Sequence, residues 1–347
     1  MNLEESFRFY SDNSASTYSP MYRDIAAAIA DDPDLLSIVA DSPVDASHPG
    51  VFLGVVRFLL LGGIDHPLGD IYAGRLDSSG VVDAFRSFVD QYRPEIMALM
   101  QTRRVQTNEV ARCSVLLAGL AEVAERHTEP LALIDVGASG GLNLAIDRLQ
   151  VDYGHFVSGP SSPVTVVCES LSDGPPRRPT PNIGWRAGID RNPLDLSDPD
   201  EVRWLQACIW PEHSDRQQRL LAAIELFNAE PVPIVAGDAI ADLPALIADA
   251  PADHHLTLMS SWVVFYFSPE DRLAYEQVLA DAGRPLSWVS AEHPSVVRSL
   301  VGKTEPMTGE GDFSALALLD YAGDGTHPDR EFLAWCHNHG AWIDWQF

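Results

Sequence analysis

A carboxylate, a run of small residues and an amide side chain lie together between Asp135 and Asn143: Asp135, Gly137, Ala138, Ser139, Gly140, Gly141 and Asn143. The apolar run Leu131 to Val136 suits a strand buried on both faces. Leu142, Leu144, Ala145 and Ile146 then begin a helix, with Asn143 in its first turn. Strand, glycine turn, helix is how a doubly wound sheet makes a ligand site. Glycines there let backbone approach a ligand and accept positive φ. Spacing separates the ligand classes that use such turns. A phosphate-cradling loop needs Lys followed by Ser or Thr, and neither is in place here. The dinucleotide pattern needs glycine where Ser139 and Leu142 stand. What remains is acid-x-Gly-x-Gly-x-Gly, met by Asp135, Gly137 and Gly141 with Ser139 in the middle position. The alternative is a tight turn that holds no ligand.

Other candidate groups fall at the ends of apolar runs. Gly188-Ile189-Asp190 closes one, with turn residues after it, and an acid there can bind ribose hydroxyls. That acid usually lies about 20 residues beyond the glycines. Asp190 is much further on, so Glu169 competes with it; the turn after Asp190 favours Asp190. Gly237-Asp238-Ala239 closes the run from Val232 and precedes Leu243-Pro244. Ahead of the glycine turn, Asn108 and Glu109 stand four and three residues before Arg112, so all three can share a helix face. They make either a capped helix start or a ligand wall with an Arg for a carboxylate. Cys336, His337 and His339 invite a zinc reading, but no fourth ligand stands at finger spacing. A helix end with a partly buried thiol is the simpler account, and no metal is expected.

The elements that must position these groups follow from periodicity and punctuation. Helices are expected over Tyr18 to Ala30, from Pro33, over Val51 to Leu61, over Val82 to Met100 with a kink or fresh start at Pro94, and over Thr107 to Arg126. After the glycine turn, Val164 to Cys168 reads as a strand within an insertion. Helices from Pro199 and Ser214 then alternate with strands at Ile183 to Ile189 and Val232 to Ala236. The strand Leu256 to Ser260 continues through Val263 to Phe267, and a helix follows from Ser268. Strands close the chain at Leu286 to Ala291, Ala315 to Tyr321 and Ala341 to Phe347. Such alternation argues a parallel α/β sheet.

Composition excludes some partners. A net charge of −27 over 347 residues argues against nucleic acid or an anionic membrane surface. The densest basic clusters are only Arg103-Arg104 and Arg177-Arg178. Four scattered cysteines without a C-x-x-C pair fit a reducing cytosol. The acidic start has no apolar signal core, and the run Val51 to Leu61, broken by Arg57, is too short to span a bilayer. A cytoplasmic protein with a small-molecule substrate is expected, and a homo-oligomer is left open.

From Leu131 onward the order of motifs resembles a class I S-adenosylmethionine (SAM)-dependent methyltransferase. The Asp135 to Gly141 turn resembles its first motif. Gly188-Ile189-Asp190 resembles the ribose-binding second strand, and Gly237-Asp238-Ala239 the adenine-contacting motif. Ser260-Ser261-Trp262 resembles the motif that borders the methyl group. The whole chain, including Thr107-Asn108-Glu109 and Cys336-His337-Asn338-His339-Gly340, also resembles a bacterial and archaeal domain-of-unknown-function family.

The first resemblance implies a Rossmann-like, seven-stranded, mostly parallel sheet over residues 127–347, with an insertion at about 151–183. Residues 1–126 would form a helical lid, with Phe7, Tyr10, Tyr18, Tyr22 and Tyr72 lining it or packing its core. SAM is the implied cofactor, held by Asp135 to Asn143, Asp190, Gly237 to Ala239 and Ser261. Asn108, Glu109, Arg112 and Trp262 would face the substrate. Methyl transfer is mainly a matter of positioning. A base for a hydroxyl or carboxyl acceptor would come from Glu292, His293 or Tyr266. A non-catalytic nucleoside-binding or scaffolding protein on the same fold is the alternative, and an NAD-dependent oxidoreductase the third reading.

Overall fold

A computed structural model describes residues 2–16, 18–43, 48–106, 108–171, 174–302 and 313–346. Thr107 and Phe347, which the sequence places in a helix and a strand, lie outside them. The chain divides into two compact units, residues 1–107 with 195–218, and residues 108–194 with 219–347.

The first unit opens with α1 (Leu3–Phe9), α2 (Pro20–Ala30), α3 (Pro33–Ala40), α4 (Pro49–Leu61), α5 (Pro67–Tyr72), α6 (Val81–Gln91) and α7 (Arg93–Thr102). Proline in the first turn, preceded by a capping side chain, starts several of them: Asp32 caps α3 and His48 caps α4. Phe52, Leu53, Val55 and Val56 of α4 are fully buried. Gly54 leaves room for the ring of Trp204, whose indole N–H donates to the Arg104 carbonyl at 2.9 Å. Phe7, Tyr10 and Tyr22 pack into the same core. The sequence expected one helix or two over Val82 to Met100; there are two, broken at Tyr92.

The second unit starts with α8 (Cys113–Arg126) and β1 (Leu131–Val136), the latter buried throughout. A small sheet of β2 (Gln150–Asp152), β3 (Val157–Ser158) and β4 (Thr165–Val167) fills part of the expected insertion, followed by β5 (Glu169–Ser170) and β6 (Ile183–Asp190). Next comes α9 (Pro199–Ala207), which belongs to the first unit, and α10 (Ser214–Ala229), within which the two units divide. The rest are β7 (Ile234–Ala236), α11 (Leu243–Asp249), β8 (His255–Ser261), α12 (Pro269–Ala280), β9 (Leu286–Glu292), α13 (Pro294–Val301), β10 (Phe313–Tyr321), β11 (Asp329–His337) and β12 (Trp342–Trp345).

The large sheet runs β5-β12-β11-β10-β9-β8-β1-β6-β7. It is parallel from β9 to β7 and antiparallel through β9-β10-β11-β12. Nine strands replace the expected seven. β11 lies where the sequence showed only a spacer, and the two residues of β5 pair with β12. Polar Asp329, Arg330 and Glu331, all exposed, hide the start of β11 from a hydrophobicity reading. Three further expectations change. The helix after the glycine turn is a 3-10 segment, Leu142–Arg148, broken at Ala145. Val263 to Phe267 is a 3-10 turn (Val264–Tyr266), not a strand. The helix expected from Thr107 begins only at Cys113, after a 3-10 turn at Val110–Arg112. Among the described residues, no helix is long and apolar enough to cross a membrane.

At the amino end of β8, His255 stacks on His127 with ring centroids 3.4 Å apart and 12° between planes. Its Nε2 meets Ser287 Oγ at 2.9 Å. Burial, then the neighbouring His127, pushes the His255 pKa down from 6.5 to about 4. Folded His255 is neutral at a pH where the unfolded residue takes a proton. Its contribution is therefore complete above pH 6.5 and is lost as pH falls toward 4. His255→Gln is expected to flatten the decline of Tm across that window in scanning calorimetry. An unchanged slope would assign the acid sensitivity to other groups.

Candidate functional site

The chain passes from β1 outward to β6 and β7, then returns across β1 to β8 and β9. Strand order reverses at β1, and a doubly wound sheet leaves a crevice beyond the carboxyl ends of its strands at such a point. Asp135 sits in register with Gly188 on β6 and Met259 on β8, and Asp190 with Ala236 on β7. Asp238 follows two residues later. The three acids thus stand at one end of three adjacent strands.

The bend after β1 is left-handed at Gly137 (φ 77°), Ser139 (φ 54°) and Gly141 (φ 80°). A non-glycine residue there costs about 1–2 kcal/mol. Hydrogen bonds hold it. Ser139 N–H donates to Asp190 Oδ2 at 2.8 Å, and Leu194 N–H to the Ser139 carbonyl at 3.2 Å. Gly137 and Ala138 N–H both donate to the Ile189 carbonyl, at 2.8 and 3.2 Å. Asp190 Oδ1 also accepts from Asn192 N–H at 2.8 Å.

The sequence left the glycines to a ligand or to a tight turn alone, and packing requires two of them. A Cβ on Gly137 would lie 2.2 Å from Val263 Cγ2, and one on Gly141 2.7 Å from Ile234 Cδ1. Ala138, Ser139, Gly140, Gly141 and Asn143 are buried, whereas Gly137, Asp190, Gly237, Asp238, Ala239 and Ser261 are half-exposed. Asn143 accepts from the Cys113 thiol at 3.3 Å.

Asp135 is 3% exposed, and its Oδ2 has no hydrogen-bond partner among the described residues. Burial, then the charge of Asp190, pushes its pKa well up. Asp238 is the opposite case. Backbone N–H groups of Ile240 and Ala241, then Arg191, lower its pKa; the Arg191 guanidinium lies 2.6 Å away. Glu169, on β5, stands at the far edge of the sheet from β1 and β6.

The expected substrate wall is braced differently from its sequence reading. Asn108 and Glu109 precede the helix rather than lying on it. Asn108 Oδ1 accepts from Leu142 N–H at 3.2 Å, at the far side of the bend. Glu109, 6% exposed, accepts from Ala111 N–H at 3.0 Å and pairs with Arg219 at 3.3 Å. Arg112 donates to the Asn338 carbonyl at 2.9 Å and to the Ser261 carbonyl at 3.4 Å, so it ties the end of β8 to the turn after β11.

Of the three candidate bases, Glu292 is fully buried. It accepts from Val263, Val264 and Phe265 N–H at 3.0–3.3 Å and from Ser260 Oγ at 3.2 Å. Burial is the largest influence on its pKa and raises it, against the opposing pull of those donors. His293 caps α13, its Nδ1 accepting from Ser295 N–H at 3.1 Å; burial, then Arg272, lowers its pKa. Tyr266 is 77% exposed. Trp262 takes a left-handed φ of 58° and donates its indole N–H to Ser314 Oγ at 2.7 Å. Sequence reasoning missed Arg191, Arg219 and Val263, whose partners are remote in the chain. It also put Cys336 at a helix end, whereas it is buried in β11. Among the described residues no cluster of His, Cys, Asp and Glu could hold a metal.

Comparison with known proteins adds the following. The family model described as "Uncharacterized protein conserved in bacteria (DUF2332)" matches residues 4–345. No curated protein matches the chain. Solved structures that it matches include the following three. The sugar N-methyltransferase KedS8 from Streptoalloteichus sp. ATCC 53650 is 14% identical, over 65% of this chain and 72% of that one, with a TM-score of 0.24. DesVI of Streptomyces venezuelae is 12% identical, over 64% and 76%, with a TM-score of 0.26. An S-adenosylmethionine-dependent methyltransferase from Clostridium acetobutylicum ATCC 824 is 10% identical, over 72% and 78%, with a TM-score of 0.23.

Asp135 offers a direct check on the site's electrostatics. Its folded pKa is raised, so its contribution is complete only below the unfolded value of 3.8 and is lost as pH rises. Asp135→Asn should therefore raise the Tm of the ligand-free protein at pH 7.5. The gain should shrink as pH approaches 4. A lower Tm for the variant at pH 7.5 would show that the carboxylate is not a burden in the fold.

Proposed function

The chain belongs to the DUF2332 family, whose description names no activity, and from the site itself we propose that it is a SAM-dependent methyltransferase acting on a small-molecule acceptor. One observation carries the reading. Asp135, Asp190 and Asp238 stand at the carboxyl ends of three adjacent strands, around a left-handed bend, where strand order reverses. The set of acceptors fits the hydroxyls and amine of an adenosyl ligand. Asp135 has a buried oxygen with no partner among the described residues, and each Asp190 oxygen keeps a lone pair beyond the one given to main-chain N–H.

SAM, when bound, supplies a methyl group on a sulfonium, an electrophile ready for attack. The rest falls to the chain's own residues. Asp190 accepts from ribose hydroxyls, and Asp238, Gly237 and Ala239 border the adenine. Gly137 to Gly141 present main chain. Ser261 and Trp262 border the acceptor, with Arg112 fixing the carbonyl of Ser261. Glu292 is engaged by four donor groups, and His293 Nδ1 accepts from Ser295 N–H, which leaves the proton of a neutral ring on Nε2; the acceptor is therefore one that needs no base, such as a carboxylate, and positioning supplies the catalysis. A non-catalytic nucleoside-binding protein is the second reading. The engagement of Glu292 and of His293 Nδ1 favours it, because neither is free to take a proton.

Calorimetry with SAM, S-adenosylhomocysteine and NAD separates the readings. S-adenosylhomocysteine is expected to bind, Asp190→Ala to weaken it at least about tenfold, and Glu169→Ala to change it little. Binding of NAD alone would overturn both leading readings. Methyl release from labelled SAM into a cell extract then selects the enzyme over the binding protein.

A further inference from the structure

We propose that the turn after β8 and His293 form a stacking face for a flat aromatic ring, uncharged or anionic, and that this ring belongs to the acceptor. The acceptor role rests on the methyltransferase reading; the ring binding does not.

The turn is restrained far beyond what a connection needs. Trp262 is held left-handed, with its N–H donating to the Ala291 carbonyl at 3.2 Å and its indole to Ser314. The carboxylate of Glu292, wholly removed from water, gathers the next three main-chain N–H groups. From the other side, Arg272 donates to the Val264 carbonyl at 3.1 Å and to that of Phe265 at 3.0 Å. A loop fixed from both sides would be expected to turn its large rings inward. Instead Phe265 is 37% and Tyr266 77% exposed. Exposed aromatic surface on a rigid frame marks a recognition site.

The rings form one cluster, tilted or edge-on to one another. Phe265 lies 5.4 Å from Trp262, 5.0 Å from His293 and 5.5 Å from Tyr266, centroid to centroid, and Trp262 lies 5.7 Å from His293. Its place is also functional. The turn leaves the carboxyl end of β8, and Val263 packs directly on Gly137 at the mouth of the bend. Charge then selects the ligand. The Arg272 guanidinium lies under the turn and acts on His293, which disfavours an ammonium and favours a neutral ring or a carboxylate. Rings stack in offset or edge-on geometry on such a face.

The test uses the full chain and three probes: 2-naphthoate, its saturated decahydro analogue, and 2-naphthylmethylammonium, each titrated by ligand-observed NMR. 2-Naphthoate is expected to bind, with the saturated and cationic probes about five- to tenfold weaker. Tyr266→Ala and Phe265→Leu should each weaken 2-naphthoate by a similar factor, and Tyr266→Phe should retain it. Tyr266 is largely in water, so its variants should melt with the parent protein. Absence of 2-naphthoate binding, equal affinity for the saturated analogue, or indifference to Tyr266→Ala and Phe265→Leu overturns the inference. Failure of S-adenosylhomocysteine to bind, with the naphthoate results intact, removes the methyltransferase reading and leaves the ring site standing.

Discussion

The carboxylate of Asp190 accepts two main-chain N–H groups, from Ser139 and Asn192, each at 2.8 Å. Through them it joins the bend after β1 to the turn after β6. Ser139 needs that support because it is not a glycine and yet is left-handed and 5% exposed. Without an acceptor its buried N–H would be left unpaired, at about 1–3 kcal/mol. The same carboxylate lies close enough to Asp135 to raise the pKa of that buried acid. One side chain thus holds the bend and adds to the burial that raises the pKa of its neighbour.

The device recurs around the strand ends. Asp238 gathers the N–H groups of Ile240 and Ala241, and Asp242 accepts from Asp238 N–H at 2.7 Å. Glu292 gathers three such groups in the turn after β8. A chain with 50 acidic residues against 23 basic ones uses several of its carboxylates as acceptors for main-chain donors. Charge-assisted bonds of this kind are short and strong, and they fix loops that carry no secondary structure of their own. The outcome is a mixed α/β unit in which acids help to hold the loops at the strand ends.

Much of this was legible in the sequence where cause and effect are local. β1 has the bounds its apolar run predicts, because it lies at the centre of the sheet and is buried on both faces. β6 was legible for a related reason, and Asp190 closes it as read. What escaped depends on remote partners. Val263 to Phe267 reads as strand by composition, yet Glu292, 27 or more residues away, bends it into a 3-10 turn. Asn108 and Glu109 have helical spacing to Arg112, but Asn108 serves the Leu142 amide 34 residues on. Arg191 pairs with Asp238 across 47 residues, which no local pattern encodes. β5 pairs at only two positions and offers no periodicity.

The central claim is that the bend around Ser139 seats an adenosyl group, with Asp190 on its ribose. The most direct measurement is a crystal structure of the full chain grown with S-adenosylhomocysteine. The account predicts the ligand at the carboxyl ends of β1, β6 and β7, with a ribose hydroxyl within about 3.0 Å of an Asp190 oxygen. Ligand bound away from those strand ends, or Asp190 contacting only Ser139 and Asn192 at saturating ligand, would contradict it.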